Sequence, residues 1–273
     1  MPDGGFRVDA TAWATIALHA AGCKEQILNN SRSRLVENQA SDGRLNLLSD
    51  DPDVVWPTPL AILAWQGVAG YEEMHAMAID FLIKTTGIHW TKKSQDAVGH
   101  DTSIKGWPWV LSTHSWVEPT AISLIALEVA GYGEHDRAKE GRRMLMDRQL
   151  PSGGWNYGNT TVFGRELQPM PETTGVALSA LEGRVPTESV RHSLNYLKNQ
   201  VRQIRTPLAL SWSLLGMSAW GERPTETKRW IFECLTEQEN YGIYDTMLLS
   251  LLMLCYFAGN GIKSIFNGKE KMI

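Results

Sequence analysis

Residues 120–131 read Thr120-Ala-Ile-Ser-Leu-Ile-Ala-Leu-Glu-Val-Ala-Gly131. The run is apolar on nearly every side, so it predicts a helix buried all round. Its threonine is suited to cap the free N–H groups at the start. Its glycine is suited to end the helix in the left-handed conformation. The pattern returns five more times. Thr11, Thr58, Thr174, Thr206 and Thr246 each open an apolar run, and Gly22, Gly70, Gly183, Gly221 and Gly259 close them. A repeat of this kind decides the fold before any single residue is interpreted.

Amphipathic stretches separate the buried runs. In Glu134–Gln149 (EHDRAKEGRRMLMDRQ), Ala138, Met144 and Leu145 form an apolar side among charges. Pro186-Thr-Glu188 and Pro224-Thr-Glu226 open two of these stretches with the same helix-start signal. Most of them end near a glutamine: Gln39, Gln149, Gln200 and Gln238. About six buried helices alternating with about five amphipathic ones predict an all-α fold, an α/α toroid whose inner helices form a barrel wrapped by the outer ones. The runner-up is an open solenoid, which would normally carry polar end caps. The repeat runs without a linker, so 1–273 reads as one domain with a loop insertion at about 87–115. Asp3-Gly4-Gly5-Phe6 reads as the tail of a repeat whose outer helix is absent, and only residues 260–273 follow the last buried run. One outer position is therefore expected to be empty, filled by the tail, or filled by a partner protein or a second copy.

The insertion is rich in Trp, His, Gly and Pro (His89-Trp90, His100-Asp101, Gly106-Trp-Pro-Trp109). Two readings stand side by side: a lid or binding loop, and an Ω-loop packed through tryptophan anchors.

Composition narrows the function. With 273 residues and 43% hydrophobic content the chain can bury a large core. A net charge of −4 without a basic stripe speaks against nucleic acid. Three scattered cysteines, Cys23, Cys234 and Cys255, read as reduced thiols and a cytoplasmic location. Met1–Phe6 lacks the pattern of a signal peptide. The longest apolar stretch, Met247–Ala258, is short of the roughly 20 residues that span a bilayer. Peripheral membrane contact stays open.

The repeat also places chemistry. Two positions before the threonines stand Asp9, Trp56, Glu118, Glu172, Ile204 and Tyr244, and Asp245 directly precedes Thr246. Asp9, Glu118, Glu172 and Asp245 are thus expected to converge on one end of the barrel. Carboxylates beside an apolar cavity have raised pKa values, and one of them can hold a proton as a general acid. Acids at a helix start also serve simply as caps and as partners of the macrodipole. Trp56, Trp116, Trp107, Trp109, Tyr157 and Tyr244 are the candidate substrate-binding residues, with π faces able to shield a cation. Trp212, Trp220 and Trp230 read as core. His89, His100 and His114 read either as proton-transfer groups or as hydrogen-bonded loop histidines.

Gly141-Arg-Arg-Met-Leu-Met-Asp-Arg-Gln149-Leu-Pro-Ser-Gly-Gly-Trp155 resembles the QW motif of squalene–hopene and oxidosqualene cyclases. Degenerate copies stand at Glu37-Asn-Gln39…Asp42-Gly43 and Gln238-Glu-Asn-Tyr-Gly242. Trp116-Val-Glu-Pro-Thr-Ala121 and Gly153-Gly-Trp-Asn-Tyr-Gly158 look like the short bacterial proteins with prenyltransferase/squalene-oxidase repeats. The resemblance implies the toroid, with Gln149 closing an outer helix and Trp155 stapling adjacent repeats. It implies an isoprenoid or polyprenyl substrate in a central apolar cavity and acid-initiated carbocation cyclisation. The alternative is a non-catalytic toroid, a lipid-binding or protein-interaction module. The cyclases carry Asp-x-Asp-Asp-Thr-Ala at such a helix start. Here Val54-Val-Trp-Pro57 stands before Thr58, the Asp50-Asp51-Pro-Asp53 run is out of register, and the acids come singly. Arg7-Val-Asp9-Ala-Thr11 and Tyr244-Asp245-Thr246 resemble zinc-site segments of protein prenyltransferase β subunits, but Thr11 and Asp245 replace the Cys and His ligands. No metal and no cofactor are therefore expected.

Overall fold

A computed structural model of the chain describes residues 6–47, 53–93 and 97–266. The Asp3–Gly5 remnant, Asp50–Pro52 and the tail beyond Phe266 lie outside the described residues. The fold is all-α. Its inner helices are α1 (Val8–Ala20), α3 (Thr58–Trp65), α5 (Val117–Val129), α7 (Pro171–Leu181), α9 (Pro207–Ala219) and α12 (Thr246–Phe257). The outer helices are α2 (Glu25–Glu37), α4 (Glu72–Lys84), α6 (Asp136–Asp147), α8 (Thr187–Gln200) and α10 (Thr227–Thr236), the last followed by the single turn α11 (Gln238–Tyr241). Two strands, β1 (Thr161–Val162) and β2 (Arg165–Glu166), form a small hairpin.

Helices α3, α5, α7 and α9 are apolar all round because they have neighbours on nearly every side, whereas α1 and α12 leave a side open at His19 and Leu249. Every residue of α3 is buried. Each inner helix packs on the next, and α12 packs back on α1. Outer helices bury one stripe each, as with Ala138, Gly141, Met144 and Leu145 of α6. They bridge inner neighbours: α2 rests on α1 and α3, α6 on α5 and α7, α8 on α7 and α9, and α10 on α9 and α12. Among the described residues no outer helix follows α12. A 3₁₀ turn at Ile262–Phe266 lies instead against the C-terminal halves of the inner helices. There Lys263 Nζ donates to the Glu182 carbonyl at the end of α7, and Phe266 stacks on His19 of α1. The described part of the tail therefore closes the far end of the inner helices and does not fill the outer position.

The threonines do not cap as expected. Helices α1, α5 and α7 start three residues before Thr11, Thr120 and Thr174. Thr58 and Thr246 are first helical residues, capped by Pro57 and Asp245. Thr206 is a cap, but its side chain makes no capping bond. The buried hydroxyls serve the preceding loop instead. Thr58, Thr120 and Thr174 Oγ1 accept the backbone N–H groups of Leu45, Trp107 and Trp155 at 3.0, 2.9 and 3.0 Å. Each such bond contributes about 1 kcal/mol and pins the loop onto the inner helix.

The glycine stops hold for five repeats. Gly22, Gly70, Gly131, Gly183 and Gly221 have φ between +72° and +88°, the region only glycine enters cheaply. In the last repeat the left-handed residue is Gly261, not Gly259.

The loops after α2 and α6 share one geometry. Gln39 Nε2 donates to the Met74 carbonyl of α4, and Gln149 Nε2 to the Ser189 carbonyl and Ser193 Oγ of α8. Gln200 is exposed, and Gln238 bonds within its own turn to the Leu235 carbonyl. Within these loops a glycine presses on the next outer helix: a Cβ on Gly43 would lie 2.1 Å from the Met77 carbonyl oxygen. Gly43 also has φ +92°. Gly43→Ala is therefore expected to cost about 2 kcal/mol or more, from strain plus clash, as a lower denaturant midpoint at unchanged slope.

Candidate functional site

The second helical residue of α1 is Asp9, and that of α5 is Glu118. Both line a cavity of about 530 Å³ at the N-terminal ends of the inner helices, together with Asp245 at the start of α12. Its walls are apolar. Trp13 of α1, Ile122 of α5, Trp212 of α9 and Leu251 of α12 all line it. Each stands five residues after the first residue of its helix, so they meet at one level, about 8 Å below the helix starts. Trp13 and Trp212 meet edge to face, with centroids 5.9 Å apart. Nearer the mouth, Trp56 meets Trp109 of the long loop in the same way at 5.4 Å.

The acids are not equivalent. Asp9 is buried, and both of its oxygens accept from Arg7, Nε at 2.9 Å and Nη2 at 2.8 Å. Such a fork occupies the carboxylate, and the hydrogen bond that Arg7 donates to Asp9 raises the Arg7 pKa in turn. Asp245 is exposed and caps α12, its Oδ1 accepting from Leu248 N at 2.9 Å. Among the described residues Glu118 has no hydrogen-bond partner, and it lines the cavity. Burial, then the neighbouring charge of Glu172, pushes its pKa up to about 7. Glu172 stands outside the lining and accepts from the Tyr157 hydroxyl at 3.1 Å. Because Glu172 is the second cause of that shift, Glu172→Gln is expected to move the Glu118 titration toward lower pH, read by carboxyl-resolved NMR.

Of the candidate aromatic residues, Trp56 and Trp109 reach the cavity and four do not. Trp107 is buried in the core. Its Nε1 donates to the Leu82 carbonyl at 2.8 Å, and the Arg137 guanidinium lies 3.7 Å over its ring. It anchors the insertion, and Arg137 adds bonds to the Thr85, Lys105 and Gly106 carbonyls. Tyr244 is buried with its hydroxyl donating to the Cys234 carbonyl at 2.9 Å. Tyr157 is half-exposed at the rim and holds Glu172. Trp116 faces a separate, smaller pocket beneath the insertion. His100 and His114 line that pocket too, and His89 borders a broad surface groove.

Trp13, Trp212 and Arg7 were not singled out by the sequence as cavity residues. A signal existed: counted from the true helix starts rather than from the threonines, the cavity-lining positions fall in register. Arg7 and Asp9 are two residues apart, but that spacing shows a clamp only once the chain is folded.

Among the described residues, no three His, Cys, Asp or Glu side chains converge as a metal site requires, and no helix is long and apolar enough to cross a membrane.

No protein-family model matches the chain, and no curated protein matches it significantly. Among solved structures it is similar to a protein from Actinoplanes, with a TM-score of 0.54 and 16% identity over 86% of this chain and 71% of that one. At that identity the likeness concerns the fold alone.

Proposed function

We propose that the chain is an α/α toroid of the terpenoid cyclase type, and that it binds an isoprenoid or similarly apolar substrate in its central cavity. The toroid reading is supported by the packing of α12 back on α1 and by outer helices that bridge successive inner ones. The functional reading is carried by one observation: an unpartnered carboxyl, Glu118, proton-bearing near neutral pH, in a cavity walled by four tryptophans.

Glu118 is the general acid. A raised pKa keeps the proton in place but makes the group a weaker acid, which suits a lone pair on oxygen better than a bare alkene. The proton passes from Glu118 to an epoxide or hydroxyl oxygen, the C–O bond breaks, and positive charge develops on carbon while the oxygen stays on the substrate as a hydroxyl (from the epoxide) or leaves as water (from the alcohol). Trp13, Trp56, Trp109 and Trp212 offer π faces to that charge. Alkene electrons close the ring, and the Glu118 carboxylate takes back a proton from the final cation. Among the described residues that line the cavity Arg7 is the only cation, and it is engaged by Asp9, which favours an uncharged substrate over a diphosphate.

The test is native mass spectrometry with lipid extraction of protein purified from its own host. A bound neutral isoprenoid supports the reading, and bare protein sinks it. A co-purifying protein chain would favour the second reading, a non-catalytic interaction module. What favours that reading is the apolar surface of the last repeat, where, among the described residues, Phe232, Ile243 and Leu249 are exposed.

A further inference from the structure

Beneath the insertion lies a second pocket of about 170 Å³, separate from the central cavity. Trp90, Trp116 and Ile104 make it apolar and flat-walled. Gly158 faces the Trp116 ring so closely that a Cβ would lie 2.8 Å from it. Two polar side chains line the pocket while more than nine-tenths buried. Among the described residues, His100 is 8% exposed and its Nδ1 has no partner, and Arg148 is 4% exposed and its Nε has none. Arg148 Nη1 is used, donating to Asp147 Oδ2 at 2.5 Å and to the Asp101 carbonyl at 3.2 Å. Orphaned buried polar atoms of this kind call for an explanation. The local field supplies its sign. Burial above all holds the His100 imidazole neutral, and the positive charges of Arg148 and Lys92, each outweighing the negative charge of Asp101, add to it.

We propose that this pocket is a binding site for a small molecule carrying a carboxylate on a flat apolar ring. The Nε side of Arg148 and the His100 imidazole hold the carboxylate, and Trp90 and Trp116 flank the ring. A guanidinium edge is matched in geometry to a carboxylate, and an ionised acceptor makes the stronger bond. The site is independent of the chemistry proposed at Glu118.

Benzoate is the probe, with benzyl alcohol as its uncharged twin and titration calorimetry as the measurement on the full chain. Benzoate is expected to bind at one equivalent and at least about tenfold more tightly than benzyl alcohol. His100→Leu and Arg148→Lys should each weaken benzoate by about tenfold or more and leave benzyl alcohol unchanged. Should Arg148→Lys fail to fold, His100→Leu decides alone, because His100 makes no side-chain hydrogen bond that its loss would break. Glu118→Gln should leave benzoate affinity unmoved. Equal affinity for the two probes, wild-type affinity in the folded variants, or a response to Glu118→Gln would each overturn the proposal. The first means that water alone satisfies these polar atoms, and the last puts the anion in the central cavity.

Discussion

Glu118→Gln is expected to cut turnover by about 100- to 10,000-fold and, above pH 7, to make the protein more stable. The two effects share one cause. Folding carries the Glu118 carboxyl from its ordinary 4.5 to about 7. Between those values the folded chain keeps a proton that the unfolded chain has released. Stability therefore falls as pH rises through that window, and the full penalty, up to about 3 kcal/mol, is in force above pH 7. Below pH 4.5 both states are protonated and the penalty vanishes. Glutamine has nearly the same shape and never ionises. The difference in Tm between variant and wild type should thus be near zero at pH 4.5 and reach several degrees at pH 8. A variant that is less stable than wild type at pH 8 would mean that Glu118 is an ionised structural partner, and the proposed general acid would go with it.

The helical alternation was legible because it is a matter of pattern. The run at Thr120 is apolar on every face and Glu134–Gln149 on one, and that difference alone separates inner from outer helices. Glycine stops are equally local, since a left-handed residue at a helix end depends on little else. The convergence of Asp9, Glu118 and Asp245 on one cavity follows from their shared place at helix starts. What failed was register. Threonine is the fourth helical residue in α1, α5 and α7, the first in α3 and α12, and the cap in α9. Counting back from it set Tyr244 on the rim, whereas its hydroxyl is engaged with Cys234 in the core. Long-range partners were beyond reach altogether. Nothing local to Gly106-Trp-Pro-Trp109 says that Trp107 meets Arg137 while Trp109, two residues on, meets Trp56.

Those two kinds of tryptophan separate cleanly on mutation. Trp155→Ala is expected to cost about 4 kcal/mol or more. Trp155 is fully buried, and its Nε1 donates to the Leu145 carbonyl near the end of α6 at 2.7 Å. Its backbone N–H is the one held by Thr174 on α7, so the side chain is wedged where an outer helix, a loop and the next inner helix meet. Alanine leaves a cavity and orphans the donor's partner, and neighbours tied by these bonds cannot collapse into the gap. Trp155→Phe keeps most of the volume and loses one hydrogen bond, so it should cost about 1 to 2 kcal/mol. Trp109→Ala is the contrast. That ring borders open cavity and touches Trp56 at its edge, so its loss should cost less than about 1.5 kcal/mol. It should instead weaken retention of the bound apolar ligand. Chemical denaturation of the three variants measures the difference. Equal costs for Trp155→Ala and Trp109→Ala would show that the aromatic wall at the mouth is core and not a binding surface.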